Sequence, residues 1–184
     1  LMEVGRIIFL RRGEKSDGTE LLTADRMEQV DMAAHALRMW EAERYVFTYG
    51  TSYHTGRGED FEDKLAEEFE AKIGSHEWVD VNGVIFDLKH HLSSSSVPHT
   101  RRTALEREAL WNKLWAAEQY QPDADIIVRS HVHYHGYTGE VVGGRPRLRL
   151  TTPALQGMGT KYGSRRCSGL VDVGLVVFDV DDQG

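Results

Sequence analysis

Apolar residues recur at intervals of three or four in three segments of the chain, the spacing that places them on one face of an α-helix. The first segment, residues 23–43, opens with Thr23, whose hydroxyl suits a helix N-cap. The second, residues 58–74, is expected to end at Gly74. The third runs over about residues 100–119. Its expected apolar side consists of Leu105, Leu110, Leu114 and Trp115.

Shorter apolar and β-branched runs predict strands between and after these helices. Two stretches are expected to form hairpins, because Asn82-Gly83 and Gly143-Gly144 lie at their centres. Single strands are predicted at residues 5–10, 44–50, 124–135 and 171–180. Strands that first alternate with helices and then follow one another predict a mixed α/β (α+β) sandwich, which we expect to form a single domain over residues 1–184.

The overall composition limits the classes of protein that fit. The 184 residues are 40% hydrophobic, enough for a sizeable core, and no apolar run approaches the ~20 residues of a membrane helix. The single cysteine, Cys167, excludes multi-cysteine zinc and redox motifs and predicts a reducing, cytoplasmic location. A net charge of -7 disfavours broad binding to nucleic acid or anionic membranes. A polyanionic substrate would therefore require metal ions or local arginine clusters.

Histidines collect where the predicted strands end. They are His54, His90, His91, His131, His133 and His135. If the strand before His131 continues through Tyr134, strand alternation puts the last three rings on one face. The carboxyl ends of strands are where α/β proteins build their sites, and neutral imidazole is the commonest metal ligand. The pattern therefore predicts a divalent-metal site built from His90 or His91 together with His131 and His133.

Other charged and imidazole side chains have simpler interpretations. His135 is either a third ligand of the set or a surface residue beside it. Asp87, three residues before His90 in a strand, is expected to face elsewhere. Three histidines on predicted helix or loop surfaces are expected to be half-exposed polar residues that each make one hydrogen bond: His35, His76 and His99. Four arginines either clamp a phosphate or lie on solvated surface: Arg101, Arg102, Arg165 and Arg166.

Several segments of the chain resemble calcineurin-like metallophosphoesterases, and look most like the phage and archaeal branches of that superfamily. The resemblance lies in "HVH" after an apolar strand, "HH" at the end of an earlier strand and the loop "GEKSDG" at residues 13–18. Further segments of this kind occur in the same order, among them "VNGVIFDLKHHL" and "TTPALQGM". The resemblance implies a two-layer β-sandwich flanked by helices, with a two-metal site at the strand ends.

The resemblance also implies roles for individual residues. Glu14 stands where the family has a bridging aspartate, and His90, more than its neighbour, stands at the strand histidine ligand. His131 and His133 match the closing pair of ligands, and His54 would donate a proton or orient the substrate. The implied cofactor is one or two divalent ions (Mn, Zn, Fe or Mg), about 3.5–4 Å apart where two are bound, that activate water for attack on a phosphate ester.

Departures from the family pattern leave the activity open. The Asp-x-His element that ends the family's first core strand has no counterpart in residues 1–12. The domain is therefore expected to be degenerate or truncated at its N-terminus. Either residues 5–10 replace the missing strand, or a homo-oligomer or partner chain covers the strand edge that it would leave exposed. The leading hypothesis is a metal-dependent phosphoesterase acting on phosphomonoesters or phosphodiesters, nucleic acid among them. The alternatives are a non-catalytic subunit of the same fold, or an enzyme to which another chain supplies ligands.

Overall fold

The computed structural model describes residues 23, 25–51, 61–93, 97–155 and 172–181. Its helices are α1 (Arg26–Arg38), α2 (Glu62–Glu68) and α3 (Arg101–Ala117), the last preceded by a 3-10 turn at Pro98–Thr100. Its strands are β1 (Val46–Thr48), β2 (Lys72–Gly74), β3 (Glu77–Val81), β4 (Val84–Lys89), β5 (Ile126–Arg129), β6 (Gly136–Val142) and β7 (Arg145–Thr151). In these ranges no helix is long and apolar enough to cross a membrane. The strand predicted at residues 5–10 lies outside them.

Five strands form a mixed sheet in the order β3-β4-β5-β7-β6, and β1 pairs with β2 in a second, parallel sheet. In the larger sheet the central strands β4, β5 and β7 run parallel. Strands β3 and β6 pair antiparallel at its two edges. The carboxyl ends of three neighbouring strands therefore meet at one edge, after Lys89, Arg129 and Thr151.

Side chains alternate between the two faces of the larger sheet, and each face has its own covering layer. One face carries an apolar cluster of Phe86, Leu88, Val128, Leu150 and Val180. Val46 of β1 packs against this cluster from the second sheet, and Val176 and Phe178 pack against it from residues 172–181. The strand predicted at residues 171–180 was wrong over its described part, where only Val173 forms a bridge, with Ala154. Helix α3 covers the other face through Ala109, which packs with Ala124 and Ile127. The predicted α+β class, with strand layers and flanking helices, is confirmed.

Both predicted hairpins are present, and their turns explain why. Asn82 and Gly83 have φ values of 51° and 82°, and Gly143 and Gly144 have φ values of 60° and 83°. Two successive residues with positive φ give a tight turn whose twist matches that of the flanking strands. Glycine adopts this conformation without steric cost, and asparagine tolerates it.

Helix α1 begins with a different cap from the one predicted. Its N-cap is Asp25, whose carboxylate accepts hydrogen bonds from the N–H groups of Met27 and Glu28. The prediction that Thr23 is the N-cap was wrong. The Thr23 hydroxyl accepts a hydrogen bond from the N–H of Asp25, the residue that precedes the helix.

Helix α2 is shorter than predicted. It ends at Glu68, and Glu70 has a φ of 47°, a left-handed conformation that cannot continue a helix. Gly74, the predicted stop, ends strand β2 instead. Residues 69–74, predicted to continue the helix, therefore form a turn and a short strand.

The buried side of α3 differs in part from the predicted one. The residues buried on it are Ala104, Leu105, Ala109 and Asn112. Leu105 was predicted correctly, but Leu110, Leu114 and Trp115 are exposed. Alanines on the buried side let the helix lie close to the sheet, where larger side chains would not fit.

Candidate metal centre

The chain segments that follow β4 and β5 are held together at the carboxyl edge of the sheet. The register pairs Lys89 with Arg129, the last residues of the two strands. Beyond them, the Ser130 N–H donates to the His90 carbonyl oxygen at 3.0 Å. The parallel pairing thus extends one residue past the strands and brings His90 next to the start of the loop that carries His131.

The rings of His90 and His131 converge at this edge. His90 Nε2 lies 3.3 Å from His131 Nδ1, and the rings meet edge to face with centroids 5.3 Å apart. Two nitrogen ligands at about 2.0–2.1 Å from a tetrahedral zinc ion lie about 3.3–3.4 Å from each other. The same contact satisfies the geometry of a hydrogen bond between the two ring nitrogens, with the donor set by the tautomers. The histidine pair, His90 and His131, therefore has the spacing of two ligands in one coordination shell.

His91 adds a third imidazole to the edge. Its ring centroid lies 5.0 Å from that of His131, at an interplanar angle of 41°. His91 is exposed, whereas His90 is half-buried. Both members of the predicted His90/His91 set thus lie beside His131, and the nitrogen contact at ligand spacing is the one made by His90.

The loop after β5 has an unusual backbone. His131 and His133 have φ values of 74° and 62°, both left-handed. The Val132 N–H donates to the Ser130 carbonyl oxygen at 2.9 Å, which closes a γ-turn centred on His131. A γ-turn with positive φ is rare and strained, and conformations of this kind cost of order 1–3 kcal/mol each. Such strain concentrates at functional sites.

The other two histidines of the loop take separate positions. Strand β5 ends at Arg129, so the prediction that three rings share one strand face was wrong. His133 is buried, and its backbone carbonyl accepts from the Asp172 N–H at 3.1 Å. His135 is exposed, and its Nδ1–H donates to the Thr151 carbonyl oxygen at 2.8 Å. The His135 ring is thus tied to the end of β7.

The described residues bring two imidazole nitrogens together but contain no complete set of metal ligands. Within residues 23, 25–51, 61–93, 97–155 and 172–181, no three His, Cys, Asp or Glu side chains are placed to hold one ion. Two predicted site residues, Glu14 and His54, lie outside these ranges. The donor chemistry of the histidine pair fits a borderline divalent ion such as zinc, manganese or iron, which accepts imidazole together with carboxylate.

Arg101, the first residue of α3, lies beside the same loop. Its guanidinium carbon is 4.6 Å from the centroid of the Tyr134 ring, a cation–π contact. Its Nε is buried without a hydrogen-bond partner, and no carboxylate of the described residues pairs with it. Burial raises the pKa of the Tyr134 hydroxyl, and the Arg101 charge offsets part of that rise. A guanidinium with an unused N–H is suited to bind an anion.

A second polar cluster lies between the sheet and α3. Arg129 Nη1 donates to Asp87 Oδ1 at 2.6 Å, and Arg129 Nε donates to Glu108 of α3 at 2.9 Å. His76 Nε2 lies 2.8 Å from Asp87 Oδ1, and Asn112 Nδ2 donates to Asp87 Oδ2 at 3.2 Å. These five residues form the ion cluster. Asp87 and Arg129 are almost fully buried, and each meets a group of opposite charge.

The Asp87 carboxyl stays ionised despite its burial. Burial raises its pKa, but the hydrogen bond from His76 and the charge and hydrogen bond of Arg129 lower it by more. The net result is a pKa below the usual value for aspartate. The carboxylate therefore acts as a fixed charge inside the fold.

The ion cluster as such was not predicted from the sequence, although one feature of Asp87 was. Asp87 belongs to a different cluster from His90, as predicted. His76 is half-buried and its Nε2 makes one hydrogen bond, to Asp87, as expected of a half-exposed polar residue. That the partner is a buried carboxylate, and that the ring lies tilted against Trp78 with centroids 4.0 Å apart, was not predicted. His35 and His99 are exposed, as expected. The available signal was a single charged residue in each of two apolar runs, "VIFDL" and "IIVR".

No protein-family profile and no curated protein matches the chain. Among solved structures, it is similar to a single mutant of Vps29 from Entamoeba histolytica, with TM-score 0.45, 13% identity, and 97% of this chain and 87% of that chain covered. A novel archaeal phosphodiesterase has TM-score 0.40 and 17% identity, with 75% of this chain and 83% of that chain covered. Wild-type Vps29 complexed with zinc, from Entamoeba histolytica, has TM-score 0.36 and 15% identity, with 83% of this chain and 76% of that chain covered. At these scores the likeness carries no argument about the site.

Proposed function

We propose that this protein is a divalent-metal-dependent phosphoesterase with its site at the carboxyl edge of β4 and β5. The observation that carries the proposal is the 3.3 Å approach of His90 Nε2 to His131 Nδ1. One of these rings belongs to a residue held in a strained turn. A shared metal ion accounts for both the spacing and the strain. The resemblance of the sequence segments to phage and archaeal calcineurin-like metallophosphoesterases supports the same function, in a single cytoplasmic domain.

In this proposal His90 and His131 hold the ion through neutral ring nitrogens. Glu14 and His133 are the further ligands that the resemblance implies, and His91 is the alternative to His90. With two imidazoles in the shell, zinc, manganese or iron fits better than magnesium, which prefers oxygen ligands. A bound divalent ion would act as a Lewis acid toward the phosphoryl group and its attacking water.

Arg101 positions the substrate in this proposal. The cation–π contact with Tyr134 restricts the orientation of the guanidinium before any ligand binds, which lowers the entropic cost of binding. Its free N–H groups match two oxygens of a phosphate ester. Because the net charge is -7, this local cation favours a substrate with few phosphates over extended contact with a nucleic acid strand.

A second candidate function is that of a non-catalytic subunit with the same fold. One observation favours it: across the described part of the chain, no third ligand joins the histidine pair. In this case the pair holds one ion weakly or none, and the protein acts through a partner chain that supplies ligands or covers a strand edge. The two candidates differ in metal stoichiometry and in turnover.

Two assays on the full chain test the proposal. The first is metal content after loading with zinc or manganese, and the second is hydrolysis of a chromogenic phosphodiester and of the matching monoester. We expect turnover that a chelator abolishes and added metal restores. The variant His90→Ala/His131→Ala should lose both metal and turnover. His35→Ala, at an exposed position of α1, is the matched control and should retain both.

The outcomes separate the two candidates. Turnover that persists in His90→Ala/His131→Ala would contradict the assignment of the site. A wild-type chain that binds metal at the pair without any hydrolysis would favour the non-catalytic subunit. Arg101→Gln tests the substrate contact: it should raise KM at least tenfold, about 1.4 kcal/mol, and leave the metal content unchanged.

A further inference from the structure

Helix α3 presents apolar side chains on its surface away from the sheet. The exposed fractions are 56% for Leu110, 49% for Trp111, 48% for Leu114 and 47% for Trp115. We call these four residues the α3 stripe. Tyr120, just beyond the helix, packs edge-on against Trp115 with ring centroids 5.5 Å apart and is itself exposed. Contiguous patches of this kind mark interaction surfaces, where tryptophan and tyrosine are enriched.

The α3 stripe has a charge of opposite sign at each end. Arg107 lies one turn before it, and Glu118, the C-cap residue of the helix, lies one turn after it. Together the six residues follow the spacing i, i+3, i+4, i+7, i+8 and i+11, which keeps them on one side of a helix. Arg107 bonds to the neutral hydroxyl of Ser93. Its positive charge is therefore available to a carboxylate.

This arrangement is self-complementary when two copies of the helix run antiparallel. A two-fold axis midway between residues 112 and 113 pairs each residue with one of matching character in the second copy. The pairs are Arg107 with Glu118, Leu110 with Trp115, and Trp111 with Leu114. An isologous contact forms every pair twice. Apolar residues then meet only apolar residues, and both charges at the ends meet opposite charges.

The size of the surface suits a reversible dimer. If each of the four apolar side chains contributes roughly 100 Å², the α3 stripe supplies about half of the ~800 Å² that each partner buries in a standard interface. Tyr120 and the two charged residues extend it. We infer that a second copy of this chain docks on the α3 stripe, with the helices antiparallel and Arg107 of each copy facing Glu118 of the other.

Sedimentation velocity on the full chain, from low micromolar to submillimolar concentration, tests this inference. The wild type should pass from monomer to dimer across the series. Arg107→Glu and Glu118→Arg each place like charges opposite one another twice, and should raise the dimer Kd by about tenfold or more. The double variant Arg107→Glu/Glu118→Arg restores opposite charges and should recover most of the loss.

A control and an apolar variant complete the test. Arg102→Glu makes the same charge change at an exposed position outside the stripe and should leave the dimer Kd unchanged. Trp111→Lys should keep the chain monomeric throughout, with an unaltered far-UV circular dichroism spectrum. A wild type that stays monomeric at every concentration would overturn the inference and assign the stripe to another occupant. Single variants that weaken the dimer without recovery in the double variant would overturn the antiparallel arrangement.

Discussion

Asp87 and Arg129 of the ion cluster lie within three residues of His90 and His131, which directly follow β4 and β5. The side chains of the two groups nevertheless make different kinds of contact. In the ion cluster, Arg129 bonds to both Asp87 and Glu108, and the strand backbone around it is regular. In the histidine pair, two ring nitrogens of the same chemical type face each other at 3.3 Å. The backbone that carries His131 adopts a strained γ-turn.

Under the proposed function, this difference separates residues that hold the fold from residues that hold a ligand. A buried charge without a partner costs several kcal/mol, so the ion cluster is required once Asp87 and Arg129 lie inside the protein. The histidine pair instead combines a nitrogen separation of 3.3 Å, which suits two ligands of one ion, with a positive φ at His131. Substitutions in the ion cluster should therefore change stability, and substitutions in the histidine pair should change metal binding.

The largest effect on stability is expected from Arg129→Met. It removes the cation from two carboxylates, Asp87 and Glu108, and should lower the free energy of unfolding by about 3–5 kcal/mol. Urea denaturation at neutral pH measures the change. Arg102→Met, at an exposed position of the same protein, should change the free energy by less than about 0.5 kcal/mol. If Arg129→Met cost no more than this control, the ion cluster would not be a structural element.

The next largest effect concerns the histidine pair and requires metal. Zinc or manganese at about 100 times its Kd should raise the free energy of unfolding of the wild type by about 2.7 kcal/mol. His90→Ala should lose most of this increment, because one of two ligands is gone, while its metal-free stability should fall by no more than about 1 kcal/mol. An increment of equal size in His90→Ala and wild type would disprove the role of the pair.

A smaller effect isolates the strain at His131. His131→Gly and His131→Ala both remove the ring, but glycine accepts a φ of 74° and alanine does not. The glycine variant should be more stable than the alanine variant by about 1 kcal/mol. The same pair at His35, inside helix α1, should show the opposite order by about 0.8–1.0 kcal/mol. The same order at both positions would argue against strain in the γ-turn.

The smallest expected effect is a pH dependence from Asp87. Its pKa is lowered in the folded state, so its contribution to stability is fully present above the unfolded pKa of about 3.9. The contribution is lost as the pH falls from there through the folded pKa. Unfolding measured between neutral and acid pH should lose less stability in Asp87→Asn than in Asp31→Asn, an exposed control on α1. Equal losses in the two variants would show that the Asp87 pKa is not lowered.

Local signals in the sequence predicted most of the fold. The Asn82-Gly83 and Gly143-Gly144 turns are set by residues that accept positive φ, so they could be recognised without tertiary information. The buried side of α3 could not be recognised in this way. Apolar residues at helical spacing occur on exposed helix surfaces as well as on buried ones. Ala104 and Ala109 are buried because the helix lies close to the sheet at these positions. The sequence pattern of the helix alone does not show that close approach.

The proximity of three histidines was predicted, but the geometry of the loop that carries them was not. His90, His91 and His131 come together because parallel strands end at a common edge, and that rule is visible in sequence. The end of β5 at Arg129 was missed, because left-handed histidines leave no mark in a pattern of alternating polarity. The partner of His76 was not predicted, because Asp87 lies in β4 and its burial depends on contacts with α3, such as that of Asn112.

Nitrogen-15 NMR of the imidazole rings, recorded during a zinc titration, tests the central claim most directly. It reports separately on Nδ1 and Nε2 of each histidine. We predict that His90 Nε2 and His131 Nδ1 change together and reach their final positions at stoichiometric zinc, while the rings of His35 and His99 do not respond. If the two nitrogens stay unchanged, or respond no more than the rings of His35 and His99, the histidine pair is not a metal site.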